Sequence, residues 1–260
     1  MSSELPEWPW WIWPHLLSLD APIIAVIWQS FFCYIFHVPL PALESIVLGL
    51  IVWGIYLADH WLDTRKHSRT VWQDRHKFAA RYSKAFLCGA LLSLTMGAFL
   101  SLWLPERTRL SGGILGLLVA LYFVAVHGSR MLSKTAVKEL SVALLFAAGV
   151  SVSLIAEENI PFPESTAAVV GFGSVCFVNC LMITLWENSE RKMARISLAL
   201  AFIPVALSAV FSPAPFGGCF LLSYACLGIL HLFHSRLSLR VLRVLADVSL
   251  LSPLFVRCLL

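Results

Sequence analysis

The sequence predicts an all-α, multi-pass transmembrane helical bundle, on three observations: its overall hydropathy, the recurrence of apolar runs of membrane-spanning length, and the gathering of charge between them. Of the 260 residues, 59% are hydrophobic and 13% charged, and the mean hydropathy is +0.81. A water-soluble domain of that composition would expose large apolar patches, so the solvent it suits is a bilayer. A spanning helix needs about 20 mainly apolar residues. Runs of that kind fill most of the chain, so residues 1–260 read as a single integral membrane domain with no room for a separate soluble one.

Residues 1–20 read as an interfacial segment. Trp8, Trp10, Trp11 and Trp13 are interleaved with Pro9 and Pro14, and amphipathic rings settle at headgroup level. No Lys or Arg precedes the first apolar stretch and no clear small-residue cleavage site follows it, so a cleaved signal peptide is not expected. Nine candidate spans follow, each an apolar run held between charge clusters or Pro and Gly breaks. They lie at about 21–37, 42–58, 85–104, 110–128, 139–156, 165–186, 195–212, 215–234 and 240–258.

The basic residues test this count. Cytoplasmic loops of membrane proteins carry most of the Lys and Arg. After the second span come Arg65, Lys66, Arg69, Arg75, Lys77, Arg81 and Lys84; after the fourth, Arg130, Lys134 and Lys138. After the sixth come Arg191, Lys192 and Arg195, and after the eighth Arg236, Arg240 and Arg243. With nine spans, 16 of the 19 basic residues share one face with the N-terminus, against Arg107, Arg109 and Arg257 on the other. The expected placement is a cell inner membrane with the N-terminus and the basic face cytoplasmic, and Glu157, Glu158 and Glu164 outside. The formal charge of +4 then reports orientation, not nucleic-acid binding. The seven cysteines lie in apolar runs without CxxC spacing, which predicts neither disulfides nor a zinc site. No GxSxG, HExxH, P-loop or Rossmann fingerprint occurs.

Two acidic helix ends remain as carriers of chemistry. In Tyr56-Leu-Ala-Asp59-His-Trp-Leu-Asp63-Thr-Arg65, a spacing of four puts Asp59 and Asp63 on one helical face, a turn apart. Their mutual repulsion would be relieved by a divalent cation, and magnesium, which is shared between carboxylates and substrate phosphates, suits that place. Pairing with Arg65 or Lys66 is the other reading. At the end of the sixth span, Glu187 and Glu190 are neighbours three residues apart, and Asn179 shares the azimuth of Glu190 further into the membrane. Here an intrahelical Glu187–Arg191 pair is the alternative. Lys138, Arg65, Arg69 and Arg75 supply cations of the kind a departing diphosphate needs, although positive-inside topology alone also places basic residues there. Glu44, Asp247, His37, His127 and His231 lie in or near spans without a spacing that names a metal site; Asp247 is expected to pair with Arg243, and His127 and His231 to be hydrogen-bonded inside the bundle.

Taken together, these residues resemble the UbiA superfamily of intramembrane prenyltransferases. Those proteins have nine helices, a cytoplasmic N-terminus and aspartate-rich motifs after helices two and six, NDxxDxxxD and DxxxD. Asp59 and Asp63 match the last two aspartates of the first motif. Leu19-Asp20-Ala-Pro22, Lys138-Glu139 with Phe146-Ala-Ala-Gly149, and the acidic end of the sixth span carry the rest of the likeness. The chain departs from the pattern at Ile55-Tyr56, which stand where the Asn-Asp would be, and in the second motif, where Glu187 replaces an aspartate and Arg191 stands in the second position, with Glu190 one place early.

The resemblance implies a UbiA-like prenyltransferase fold and Mg2+-dependent transfer of a polyprenyl group from a polyprenyl diphosphate to an aromatic or other lipophilic acceptor. The metal ligands would be Asp59, Asp63, Glu187 and Glu190. Tyr56, Arg65, Arg69, Arg75, Lys138 and Asn179 would bind substrate. A terpene cyclase of the same fold, and a lipid-binding or assembly protein that keeps the fold without turnover, are the alternative functions.

Overall fold

A computed structural model describes residues 8–66, 74–128, 136–187 and 192–259, and every regular element among them is helical. After a 3-10 turn at Trp10–Ile12, the helices are α1 (Trp13–Leu16), α2 (Asp20–Ile35), α3 (Ala42–Lys66), α4 (Asp74–Arg81), α5 (Ser83–Ser101), α6 (Glu106–Gly128) and α7 (Ala136–Val150). They continue as α8 (Val152–Ile155), α9 (Phe162–Glu187), α10 (Lys192–Phe211), α11 (Ala214–Leu232), α12 (Leu239–Ser249) and α13 (Ser252–Arg257), with a 3-10 turn at His234–Arg236. Helix therefore covers each of the nine apolar stretches read from the sequence.

Among the described residues, five helical segments are long and apolar enough to cross a membrane: Ala42–Arg65, Ser83–Ser101, Glu106–Val126, Phe162–Glu187 and Ala214–Leu232. A sixth is reached if Trp10–Leu16 and Asp20–Ile35, bent by 80°, count as one span. The protein is accordingly a multi-pass membrane protein whose helices differ in rank. In α9, 67% of the most apolar stretch is buried in protein, against 6% in α6, so α9 is central and α6 faces the surroundings. Leu110, Ile114, Leu117, Leu121 and Val124 of α6 are all exposed. Such faces are stable only where hydrocarbon replaces water.

The core is an aromatic cluster. Trp28, Phe31 and Phe32 of α2, Phe172 of α9, and Phe216 and Phe220 of α11 are almost wholly buried. Trp28 stacks on Phe172 with centroids 4.2 Å apart, and Phe31 meets Phe216 edge-on at 5.2 Å. Gly171 allows this closeness: a Cβ there would stand 2.2 Å from a Phe220 ring carbon and 2.8 Å from Ser208 Cβ.

Where helices break inside this core, the freed carbonyls are capped by side chains. Pro253 lacks an N–H, so it cannot bond the carbonyl of Ser249 four residues earlier; Ser223 Oγ donates to that carbonyl at 2.8 Å instead. The next carbonyl, of Leu250, loses its α-helical partner because Leu254 N–H turns to Leu251. Trp28 Nε1–H donates to it at 2.7 Å. An apolar interior requires this replacement, because no water is present to satisfy those oxygens.

The N-terminal segment is a packed element. Trp8 and Trp13 meet Phe78 of the short α4 at 5.2 and 5.9 Å, both edge-on. Ser18, with φ of 57°, is buried and hydrogen-bonded to His60 Nδ1 at 2.7 Å, while Trp53 Nε1–H donates to Leu17 O at 2.9 Å. The 80° turn that follows carries His15 and Asp20 inward. On the opposite face Arg107, at the start of α6, pairs with Glu158 between α8 and α9, so these two charges share a side.

Candidate functional site

A cavity of about 330 Å³ opens among α1, α2, α3, α7, α9 and α12. Its polar wall carries His15, Asp20, Tyr56, Lys138, Asn179 and Asp247, with Glu139, Glu187 and Arg243 beside them. Ile24, Val142, Ala143, Phe146 and Leu250 form the apolar part. Tyr56 and His60 belong near the end of α3, Lys138 and Glu139 to the start of α7, and Glu187 to the end of α9.

At the centre of the polar wall, His15 Nδ1 lies 2.7 Å from Asp20 Oδ2 and 3.5 Å from Asp247 Oδ2. Asp20 Oδ1 also accepts the N–H of Ala21 at 3.0 Å. Asn179 Nδ2 donates to Asp247 Oδ1 at 3.3 Å. Glu187 accepts from Arg243 Nη2 at 2.5 Å, and Thr184 Oγ1 donates to Glu139 Oε1 at 3.1 Å. The wall is thus a ring of charge-assisted pairs, within which Lys138 adds a further cation.

Of the residues singled out in the sequence, Tyr56, Lys138, Asn179 and Glu187 line this cavity. Asp59 and Asp63 do not; they lie on α3 on either side of His60, which does. Arg65 stands exposed over the Trp61 ring, 4.0 Å from its centroid. Glu190 and Arg69 lie outside the described residues, as does the side chain of Arg75, whose backbone belongs to α4.

Two expected pairings differ. Asp247 was expected to pair with Arg243 four residues before it; Arg243 reaches across to Glu187 on α9, and Asp247 meets His15 and Asn179. One helical turn separates the two on α12, so each finds a partner at its own depth. His231 is exposed, with Trp186 Nε1 3.4 Å from its Nδ1, because α11 ends one residue later at the helix terminus. The side chain of His127 lies outside the described residues.

Magnesium takes oxygen donors. Asp59 and Asp63 fit that chemistry; Glu187, whose carboxylate is held by Arg243, fits less well. Sequence reading passed over His15, noted Asp20 only within the resemblance, and expected Asp247 to pair with Arg243. The available signals were an ionisable residue inside an apolar stretch, Asp247, and a histidine directly after the tryptophan cluster, His15. No family model, curated protein or solved structure matches the chain.

Proposed function

We propose that this chain is an intramembrane prenyltransferase that moves a polyprenyl group from a polyprenyl diphosphate to a lipophilic acceptor. One observation carries the reading. A cavity of about 330 Å³, within the range of small-molecule sites, joins a wall of charged and amide groups to an apolar wall inside a bundle of membrane helices. A ligand with an anionic head and a hydrocarbon tail has that polarity. The resemblance to the UbiA superfamily names the substrate class, and with it the nine-span count and a cytoplasmic basic face.

In this reading Lys138 meets the diphosphate, and Tyr56 and Asn179 hydrogen-bond its oxygens. Asp59 and Asp63 would hold magnesium through their carboxylate oxygens. That ion, when bound, neutralises charge on the leaving diphosphate. The first isoprene unit lies against Val142, Ala143 and Phe146. Cleavage of the carbon–oxygen bond leaves the electron pair on diphosphate and an allylic cation on carbon, which the faces of Tyr56 and Phe146 stabilise. An acceptor then forms the new bond and loses a proton. The apolar wall excludes water, which would otherwise capture the cation.

The test is prenyl transfer by purified protein with magnesium and a panel of acceptors. Asp59→Asn and Asp63→Asn are each expected to lose transfer, and Lys138→Ala to reduce it at least about tenfold, with all three eluting as the wild type does. Full transfer in both aspartate variants would remove those residues from the mechanism.

A further inference from the structure

The His15, Asp20 and Asp247 cluster has a geometry that ion pairing alone does not require. One ligand atom from each lies within 4.8 Å of the other two. The separations of 2.7 and 3.5 Å from His15 Nδ1 bracket the spacing of neighbouring ligands around one ion. With bonds of about 2.1 Å, that spacing is about 3.0 Å in an octahedron and about 3.4 Å in a tetrahedron.

Asn179 supplies an independent observation. Its side chain is 5% exposed, it lines the same cavity, and its Nδ2 is committed to Asp247 Oδ1. That bond fixes which way the amide points, because only its nitrogen can donate to a carboxylate. The remaining atom, Oδ1, is buried without a hydrogen-bond partner among the described residues. A buried amide oxygen left unmatched is costly, and a cation beside Asp247 would satisfy it.

We propose that His15, Asp20 and Asp247 bind a single first-row divalent metal ion, with Asn179 Oδ1 as a further oxygen donor and the cavity supplying room for water or substrate. Two carboxylates balance the charge of such an ion. One imidazole with oxygen donors suits Mn2+, Fe2+ or Zn2+ better than Mg2+, which prefers oxygen alone. The site is distinct from Asp59 and Asp63 and does not depend on the prenyl-transfer reading. Its residues come from the segment before α2, from α2 itself and from α12, so a bound ion would tie the N-terminal segment to the last helices.

Mn2+ is the probe. Full-length protein in detergent, stripped with chelator and titrated with Mn2+, is expected to bind one ion per chain at this site, counted in Asp59→Asn/Asp63→Asn, and to show electron spin-echo modulation from an imidazole nitrogen. His15→Gln should abolish the modulation, and Asp20→Asn and Asp247→Asn should each weaken binding at least about tenfold. The modulation should persist in Asp59→Asn/Asp63→Asn, which separates this site from the proposed magnesium site. Variants are compared only if they elute as a single species, and any one of the three substitutions suffices for the comparison. Absence of stoichiometric Mn2+, a bound ion without nitrogen modulation, or modulation that survives His15→Gln would overturn the proposal.

Discussion

At the residue scale, the Arg243–Glu187 pair is asymmetric. The Arg243 side chain is 6% exposed and that of Glu187 is 29% exposed, so the two partners respond differently to losing each other. Glu187→Gln removes the charge that faces a buried guanidinium and is expected to cost about 3 kcal/mol. Arg243→Met leaves a carboxylate that can turn toward solvent, and the expected cost is smaller. Unfolding midpoints of the two variants in detergent check the order; equal losses would contradict it. The same residues show what a sequence can tell about a site. Lys138 and Glu187 were legible because they lie at helix ends whose local charge is unusual for a membrane segment, and Tyr56 and Asn179 because each is a polar residue leading into such an end. His15, Asp20 and Asp247 were not, because their meaning lies in a convergence of the N-terminal segment with the last helices that no local spacing encodes. Asp247 even has a correctly spaced cation four residues away, and helical periodicity favours that neighbour over partners on other helices.

At the element scale, packing around α9 and the helix breaks set the shape of the core. Gly171→Ala should force Phe220 out of the aromatic cluster, since a Cβ would stand 2.2 Å from the ring. The expected loss is about 1–3 kcal/mol, read as a lower unfolding midpoint; an unchanged midpoint would show that α11 can shift freely. Trp28→Phe keeps most of the ring but leaves Leu250 O unpaired, and should cost about 1–2 kcal/mol beyond any change in packing. Apolar runs located the helices because a bilayer forces each backbone polar group into local hydrogen bonds. Their interruptions were less legible. Pro253 marks the α12–α13 break plainly, but the end of α7 at Val150 comes before a serine. There Ser151 donates both through its N–H and through its Oγ to Ala147 O, at 3.1 and 2.7 Å. The short α4 had no apolar run to announce it; Phe78 stands in a charged segment and finds its partners in Trp8 and Trp13.

At the scale of the whole molecule, the polar cavity wall and the Arg107–Glu158 pair lie toward opposite ends of the helices. With the exposed thiols Cys88 and Cys258 replaced by serine, Ser238→Cys should react with a membrane-impermeant maleimide only from the cytoplasmic side, and Glu158→Cys only from the opposite one. Reaction of both from the same side would overturn the proposed topology. The central claim is that the cavity ionises a prenyl diphosphate, and release of diphosphate tests it most directly. Purified wild-type protein, supplied with prenyl diphosphates of several chain lengths with and without magnesium, is expected to release diphosphate only with magnesium and to lose that release in Asp59→Asn. Retention of lipid with no diphosphate release under any of these conditions would contradict the claim and leave a protein that binds but does not transfer.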